Sequence, residues 1–136
     1  MKFAVLIAIF CVSLFADKLC DIEFNNGVKL LSVPLADTIE QHKKGLSNRN
    51  DIGNGMLFSW HTSKNACFWM KNTKEALNVG FFDKNRKLFQ IETMQPLSLE
   101  SHCSDKETLF ALELKEGGFD ENNLSINVKI AKIECR

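Results

Sequence analysis

The sequence has no excess of charge of either sign. It contains 17 lysine and arginine residues and 17 aspartate and glutamate residues among 136. Proteins that bind nucleic acid or anionic lipid through an electrostatic surface usually carry a marked basic excess. We therefore expect no nucleic-acid partner.

The sequence also lacks the short motifs of several enzyme classes. It has no glycine-rich phosphate loop, no G-x-S-x-G nucleophile elbow, no H-E-x-x-H zinc motif and no C-x-x-C pair. A nucleophile would have to be Cys67 or Cys103, and a free thiol is readily oxidised outside the cytoplasm. We favour a non-catalytic protein, with hydrolysis or isomerisation of a small polar metabolite as the alternative.

Only one long apolar run is present, and it lies at the start of the chain. Lys2 precedes an apolar stretch from Phe3 to Ala16, in which Ser13 is the one polar residue, and Asp17 follows it. This is the layout of a secretory signal peptide, and the stretch is short for a membrane-spanning helix. We expect residues 1–16 to be removed after Ala16, with an uncleaved N-terminal anchor as the alternative.

Residues 17–136 contain no further apolar run and no linker, repeat or low-complexity tract. The length suits one domain with a single core. We expect an exported, monomeric protein with no membrane span after removal of the signal. It would lie in the periplasm if the source is a Gram-negative bacterium, and otherwise be secreted.

Four cysteines remain once Cys11 leaves with the signal. In an exported chain they favour two disulfides, and the sequence alone allows three pairings. The preferred pairing joins the chain ends through Cys20 and Cys135. It also joins Cys67 to Cys103, tying an apolar strand to a loop.

Alternation of polar and apolar residues dominates the chain and has the period of β-strands. It predicts strands at 27–36, 56–60, 66–70, 77–82, 87–94, 108–114 and 124–134. Capping residues and a glycine predict one short surface helix between Asp37 and Gly45. "DKNRK" (83–87) predicts a hairpin turn, and "KEGGFDENN" a connection with one helical turn. The pattern predicts a mainly β fold, an antiparallel sandwich or jelly-roll-like barrel with one short helix.

Several motifs occur in an order typical of one family. They are "GMLF" (55–58), "FWMKNT" (68–73), "LNVGFFD" (77–83), Met94 with Gln95-Pro96, and "ALE" (111–113), after a segment "ADTIEQHKKGLSNR". With these motifs the chain resembles the domains of unknown function numbered 192 (DUF192). The resemblance implies a compact β-sandwich of jelly-roll type, often exported, and supplies no activity. The chain departs from the family pattern at Ser47, Ala76 and Asn78, and Asn78 stands where an aspartate is usual.

The polar end of "FWMKNT" is the candidate ligand site. Alternation along a strand would place Trp69 beside Lys71 and Met70 beside Asn72. An aromatic wall with a few fixed polar groups is typical of small-ligand sites. We expect a shallow pocket for a small polar or anionic ligand, formed by Arg49, Trp69, Lys71, Asn72 and Met94. The alternative is that the strand simply reaches the surface and its polar groups satisfy neighbouring loops.

Two further partners fit the composition. One is another envelope protein in place of a small ligand. The other is a soft metal such as Cu(I), for which possible ligands are His42, His61, His102, Cys67, Cys103, Met56, Met70 and Met94. No spacing among these residues is diagnostic of a metal site, so we expect neither a metal nor a cofactor.

Overall fold

The computed structural model describes residues 17–136, which are folded mainly into β-strands. The predicted signal peptide, residues 1–16, lies outside the described residues. Between residues 17 and 136 no helix is long and apolar enough to cross a membrane. The strands are β1 (Leu19–Phe24), β2 (Lys29–Ala36), β3 (Met56–Lys64), β4 (Cys67–Phe68), β5 (Leu77–Phe82), β6 (Leu88–Met94), β7 (His102–Cys103), β8 (Thr108–Lys115) and β9 (Ile130–Cys135), and the helices are α1 (Ile39–Lys44) and α2 (Gly118–Glu121).

Seven strands form one sheet in the order β6-β5-β8-β3-β2-β1-β9, while β4 and β7 pair separately. The predicted antiparallel arrangement is confirmed at every pairing of these strands except one. β2 and β3 run parallel, with Leu35 opposite Leu57. A parallel pair requires a long crossover, and residues 37–55, which include α1, provide it.

The sheet curls until its two edges meet. The Leu88 amide donates to the Val128 carbonyl at 2.9 Å, and the Ile130 amide donates to the Arg86 carbonyl at 3.0 Å. These bonds join the start of β6 to the segment before β9. The curled sheet agrees with the predicted sandwich or barrel.

Apolar side chains are buried on both faces of the sheet. The first core lies inside the curl, because it contains residues from both ends of the sheet, such as Ile22 of β1 and Leu88 of β6. The second core covers the other face of β3, β8, β5 and β6, and it includes Phe58, Phe81 and Ala111. Residues 66–73 and the loop after α1 pack over this second core. That outer layer contains the candidate site.

The short helix forms through its cap, as predicted. The Thr38 side chain accepts a hydrogen bond from the Gln41 amide at 3.2 Å, and the Gln41 side chain accepts one from the Thr38 amide at 3.2 Å. This reciprocal capping box satisfies two amides that the first helical turn leaves free. Gly45, with φ of 46°, ends the helix.

The strand predicted over 66–70 is shorter in the structure. Only Cys67 and Phe68 pair with β7, and the chain then turns, since the Thr73 amide donates to the Met70 carbonyl at 3.1 Å. Asn72 has φ of 57°, which strand geometry does not allow. The sequence analysis also did not predict β1 or β7.

Two disulfides cross-link the described residues. Cys20 of β1 bonds to Cys135 of β9, and Cys67 of β4 bonds to Cys103 of β7. These are the two pairs that the sequence analysis favoured. Each joins residues directly opposite one another on adjacent strands. One bridge therefore fixes an edge of the main sheet, and the other fixes the outer layer.

Candidate functional site

A cavity of about 460 Å³ lies between α1, β3 and residues 66–73, which we call the outer segment. Its volume is within the range of small-molecule sites. Four aromatic side chains line it, two from β3 and two from the segment that follows: Phe58, Trp60, Phe68 and Trp69. Exposed residues of α1 and β3 are among those that line it.

The rings of Phe58, Trp60 and Phe68 contact one another, and together with Trp69 they form the aromatic wall of the cavity. The ring centroids of Phe58 and Phe68 lie 4.9 Å apart with the rings edge to face, and those of Trp60 and Phe68 lie 6.4 Å apart. Such offset and edge-on contacts are the favourable geometries for aromatic pairs. Alternation along β3 explains the wall, because Phe58 and Trp60 are two residues apart and share a face.

His42 anchors α1 over the cavity. Its Nε2 atom lies 3.0 Å from the Ala36 carbonyl oxygen and 3.0 Å from the Ser59 carbonyl oxygen. Carbonyl oxygens only accept, so Nε2 carries the proton in this arrangement. The imidazole also packs against Trp60, with centroids 5.0 Å apart. The histidine thereby fixes the helix to both β2 and β3.

Glu113 lies at the bottom of the cavity. It is on the central strand β8, opposite Met56 of β3 and Val79 of β5, and is only 4% exposed. Burial raises the pKa of its carboxyl to about 8, because the charged form loses its hydration there. At neutral pH the carboxyl is therefore mainly protonated.

Three of the exposed residues that line the cavity are lysines, and we call this exposed side of the lining the mouth. Lys43 and Lys44 come from the last turn of α1, and Lys64 comes from the end of β3. All three residues are exposed, whereas Glu113 is buried. The cavity therefore has positive charge at its mouth, aromatic walls and one carboxyl at its bottom.

Of the five ligand residues predicted from the sequence, Trp69 lines this cavity. It is 51% exposed, which is high for an aromatic side chain. Lys71 does not line the cavity, and its Nζ lies 5.3 Å from the centre of the Trp69 ring. Burial alternates from Phe68 to Lys71 as predicted, although the strand itself ends at Phe68.

The other three predicted residues lie outside the cavity lining. Arg49 pairs with Asp17, with 3.0 Å between Nη2 and Oδ2. The Asn72 carbonyl accepts a hydrogen bond from the Asn48 amide at 2.8 Å, so the loop carrying Arg49 does lie against the "FWMKNT" segment. Met94 is fully buried in the core.

The sequence analysis did not select Glu113, although a signal was present. In the predicted strand "TLFALEL", Glu113 shares a face with Ala111, which is an apolar core position. A carboxylate at a core position is rare and usually has a specific role. The lysines of the mouth gave no such signal, because surface lysines are common everywhere.

The residues considered as nucleophiles or soft-metal ligands include two cross-linked cysteines and three buried methionines. Cys67 lines the cavity, but its sulfur is in a disulfide and is no free nucleophile. Met56, Met70 and Met94 are buried in the core. Within residues 17–136, no three histidine, cysteine, aspartate or glutamate side chains cluster as metal ligands do.

Two solved structures share the fold. A protein of unknown function from Novosphingobium aromaticivorans is 25% identical, with a TM-score of 0.73 over 85% of this chain and 83% of that one. A protein from Sinorhizobium meliloti, provisionally described as a transcription regulator, is 26% identical, with a TM-score of 0.74 over 88% of this chain and 94% of that one. No curated protein matches the chain.

The family comparison agrees with the motifs. The model of DUF192, described as an uncharacterized ACR, matches residues 22–131, which include both the outer segment and Glu113. The match covers most of the chain and confirms the resemblance seen in "GMLF" and "FWMKNT". The chain belongs to the DUF192 family.

Proposed function

We propose that the chain is an exported binding protein and that its aromatic cavity binds a small ligand carrying an anionic group. The observation that carries the proposal is that suitable size, aromatic walls and a lysine mouth occur together in the same cavity. Aromatic walls with a few charged groups are typical of sites that bind small molecules.

The two parts of the cavity have different tasks in this proposal. The faces of Phe58, Trp60 and Phe68 pack against the apolar part of the ligand and remove it from water. The ammonium groups of Lys43, Lys44 and Lys64 attract its anionic group. Because these lysines are exposed, each contributes modestly, and the ligand is held mainly by the walls.

Export is part of the proposal. Residues 1–16 have the composition of a signal peptide, and two disulfides suit an oxidising compartment such as the periplasm. A reducing cytoplasm would not maintain them.

The proposal gives the predicted ligand residues unequal roles. Trp69 forms part of the wall. Lys71 steadies the Trp69 ring by a cation–π contact, and Arg49 fixes its loop to Asp17. Asn72 supports the turn after Met70, and Met94 fills the core beneath it. The binding site thus lies beside the "FWMKNT" motif and shares Phe68, Trp69 and Thr73 with it.

One observation favours a second candidate, a small-metabolite isomerase or hydrolase. A buried carboxyl whose pKa is raised to about 8 is suited to act as a general acid or base near neutral pH. The candidate needs a reacting group beside Glu113, and the cavity's own cysteine is in a disulfide. Turnover that Glu113→Gln abolishes would favour the enzyme over the binding protein.

Binding is tested by thermal shift and calorimetry on oxidised residues 17–136. The probes are phosphate, phenylacetate and straight-chain carboxylates from butanoate to octanoate. Specific binding to the folded state raises the melting temperature. We expect at least one carboxylate to bind.

Two lysine variants locate the site. We expect Lys64→Ala to weaken binding by about two- to five-fold, because Lys64 lines the cavity, and Lys71→Ala to weaken it less, because Lys71 acts only through the Trp69 ring. The opposite order would move the site from the cavity to the exposed end of "FWMKNT". If none of the probes binds, the cavity is not an anion-binding site, and the search moves to protein partners.

A further inference from the structure

The Glu113 carboxyl has no partner among residues 17–136. No hydrogen bond or ion pair in that range involves it, and burial is the cause of its raised pKa. No side-chain oxygen in that range is both fully enclosed and unpaired, which is consistent with carboxyl oxygens that reach the cavity. Buried polar groups are nearly always paired, and an unpaired buried charge is strongly destabilising. Yet the residue lines the cavity at the centre of the sheet.

The surroundings of Glu113 favour a positive charge. Phe58, Trp60 and Phe68 line the same cavity. The face of an aromatic ring carries negative potential and attracts cations, most strongly where water is excluded. A carboxylate and these rings therefore select the same kind of group, an ammonium ion.

We propose that the ligand is a small zwitterion whose ammonium group pairs with the Glu113 carboxylate at the bottom of the cavity, while its carboxylate lies among the lysines at the mouth. The inference rests on the proposed function and names its ligand class. The two charges must be at opposite ends of the ligand, since Glu113 is buried and the lysines are exposed. Straight-chain ω-amino carboxylates have this arrangement.

Ionisation of Glu113 is coupled to binding in this proposal. An ammonium group pairs with the carboxylate and not with the acid, so binding releases the carboxyl proton to solvent. Affinity should rise about tenfold per pH unit below the pKa of about 8 and level off above it. A ligand that instead accepted a hydrogen bond from the neutral acid would bind more weakly as the pH rises.

Other titratable groups also face the cavity. They are His42, Lys43 and Lys44 from α1 and Lys64 from β3, while β5 and residues 65–73 contribute none to the lining. A comparison with Glu113→Gln separates the effect of Glu113 from that of these groups, because all of them are present in both proteins.

Matched probes test the ammonium group directly. Calorimetry on oxidised residues 17–136 compares ω-amino acids from aminobutanoate to aminooctanoate with the plain carboxylate, the ω-hydroxy acid and the plain amine of the same chain length. Each titration is run at pH 6, 7, 8 and 9, for the wild type and for Glu113→Gln. Glutamine keeps the size of the neutral acid but is never charged.

We expect the best ω-amino acid to bind at least tenfold more tightly at pH 8 than its hydroxy analogue, with affinity rising from pH 6 to pH 8. Glu113→Gln should remove both the preference for the amino group and the rise. If the plain carboxylate binds as tightly as the amino acid, or if affinity falls as the pH rises, the proposal of a zwitterionic ligand is wrong, but the proposal of an anion-binding cavity is retained. If no probe binds, both proposals fail.

Discussion

Gly55 lies against the backbone of Glu113 with no room for a side chain. A Cβ at this position would overlap the Glu113 carbonyl oxygen, and Gly55 has φ of 79°, in the left-handed region. Both conditions require glycine. The glycine of "GMLF" thus sets how β3 begins beside the strand that carries Glu113.

Gly55→Ala should lower the free energy of unfolding by about 3 kcal/mol or more, since the methyl group adds overlap to left-handed strain. Urea unfolding monitored by tryptophan fluorescence measures the loss. Gly53→Ala is the matched control, because Gly53 has φ of 55° and no atom within 4 Å of the added Cβ. It should lose only about 1 kcal/mol, and equal losses would show that the contact with Glu113 is unimportant.

Stability should fall as the pH rises because of Glu113. Its pKa is raised from 4.5 to about 8 in the folded protein, so the folded state keeps a proton that the unfolded chain loses. The stabilisation that Glu113 gives through this retained proton is complete below pH 4.5 and is lost as the pH rises through 8. The slope is at most about 1.4 kcal/mol per pH unit.

The free energy of unfolding of wild type and Glu113→Gln, measured in urea from pH 5 to pH 9, isolates this effect. Other groups titrate in both proteins and cancel in the difference. The free energy of unfolding of the variant, relative to that of the wild type, should increase as the pH rises and level off above pH 8. A constant difference would mean that the folded carboxyl titrates normally.

The two disulfides should differ in what they stabilise. The bridges span 115 and 36 residues of sequence, and the chain-entropy relation assigns them about 5 and about 4 kcal/mol. Replacing Cys20 and Cys135 by serine should therefore cost more global stability than replacing Cys67 and Cys103. Urea unfolding of both double variants tests the order.

Amide hydrogen exchange distinguishes the bridges further. Removing the Cys67–Cys103 bridge should speed exchange selectively in residues 66–70, where few strand hydrogen bonds hold the outer layer. Removing the Cys20–Cys135 bridge should leave those amides unchanged. Uniform acceleration in both variants would contradict a local role for the second bridge.

The Thr38 cap should be worth about 1 kcal/mol. Thr38→Ala removes the acceptor for the Gln41 amide, while Thr38→Ser keeps it. We expect alanine to lower the free energy of unfolding and serine to leave it within about 0.5 kcal/mol. Equal effects of the two substitutions would show that the hydroxyl does not act as a cap.

Local features of the fold could be predicted because local residues determine them. The capping box needs only Thr38, Gln41 and Gly45, and the hairpin after β5 needs only the turn residues of 83–87. β1 has the period-2 pattern, with Cys20, Ile22 and Phe24 buried, but it directly follows the predicted signal and was not recognised. The parallel pairing of β2 with β3 depends on the path of a long connection, which no local pattern encodes.

The site was harder to predict because its parts come from distant segments. Trp69 was identified through its own motif. Phe58, Lys43 and Glu113 lie in other segments of the sequence, and only folding brings them into the same cavity. The sequence analysis also applied strand alternation as far as Asn72, whereas in the structure the chain has already turned at that residue. Glu113 remained detectable in principle, as a carboxyl on the apolar face of a strand.

The contact between the two sheet edges also limits self-association. An open strand edge presents unpaired amides and carbonyls that template pairing with another chain, a common route to aggregation. Here Arg86 and Leu88 on one edge are hydrogen-bonded to Ile130 and Val128 on the other. Those groups are unavailable to a second molecule, so the curl protects this part of the sheet edge from edge-to-edge polymerisation.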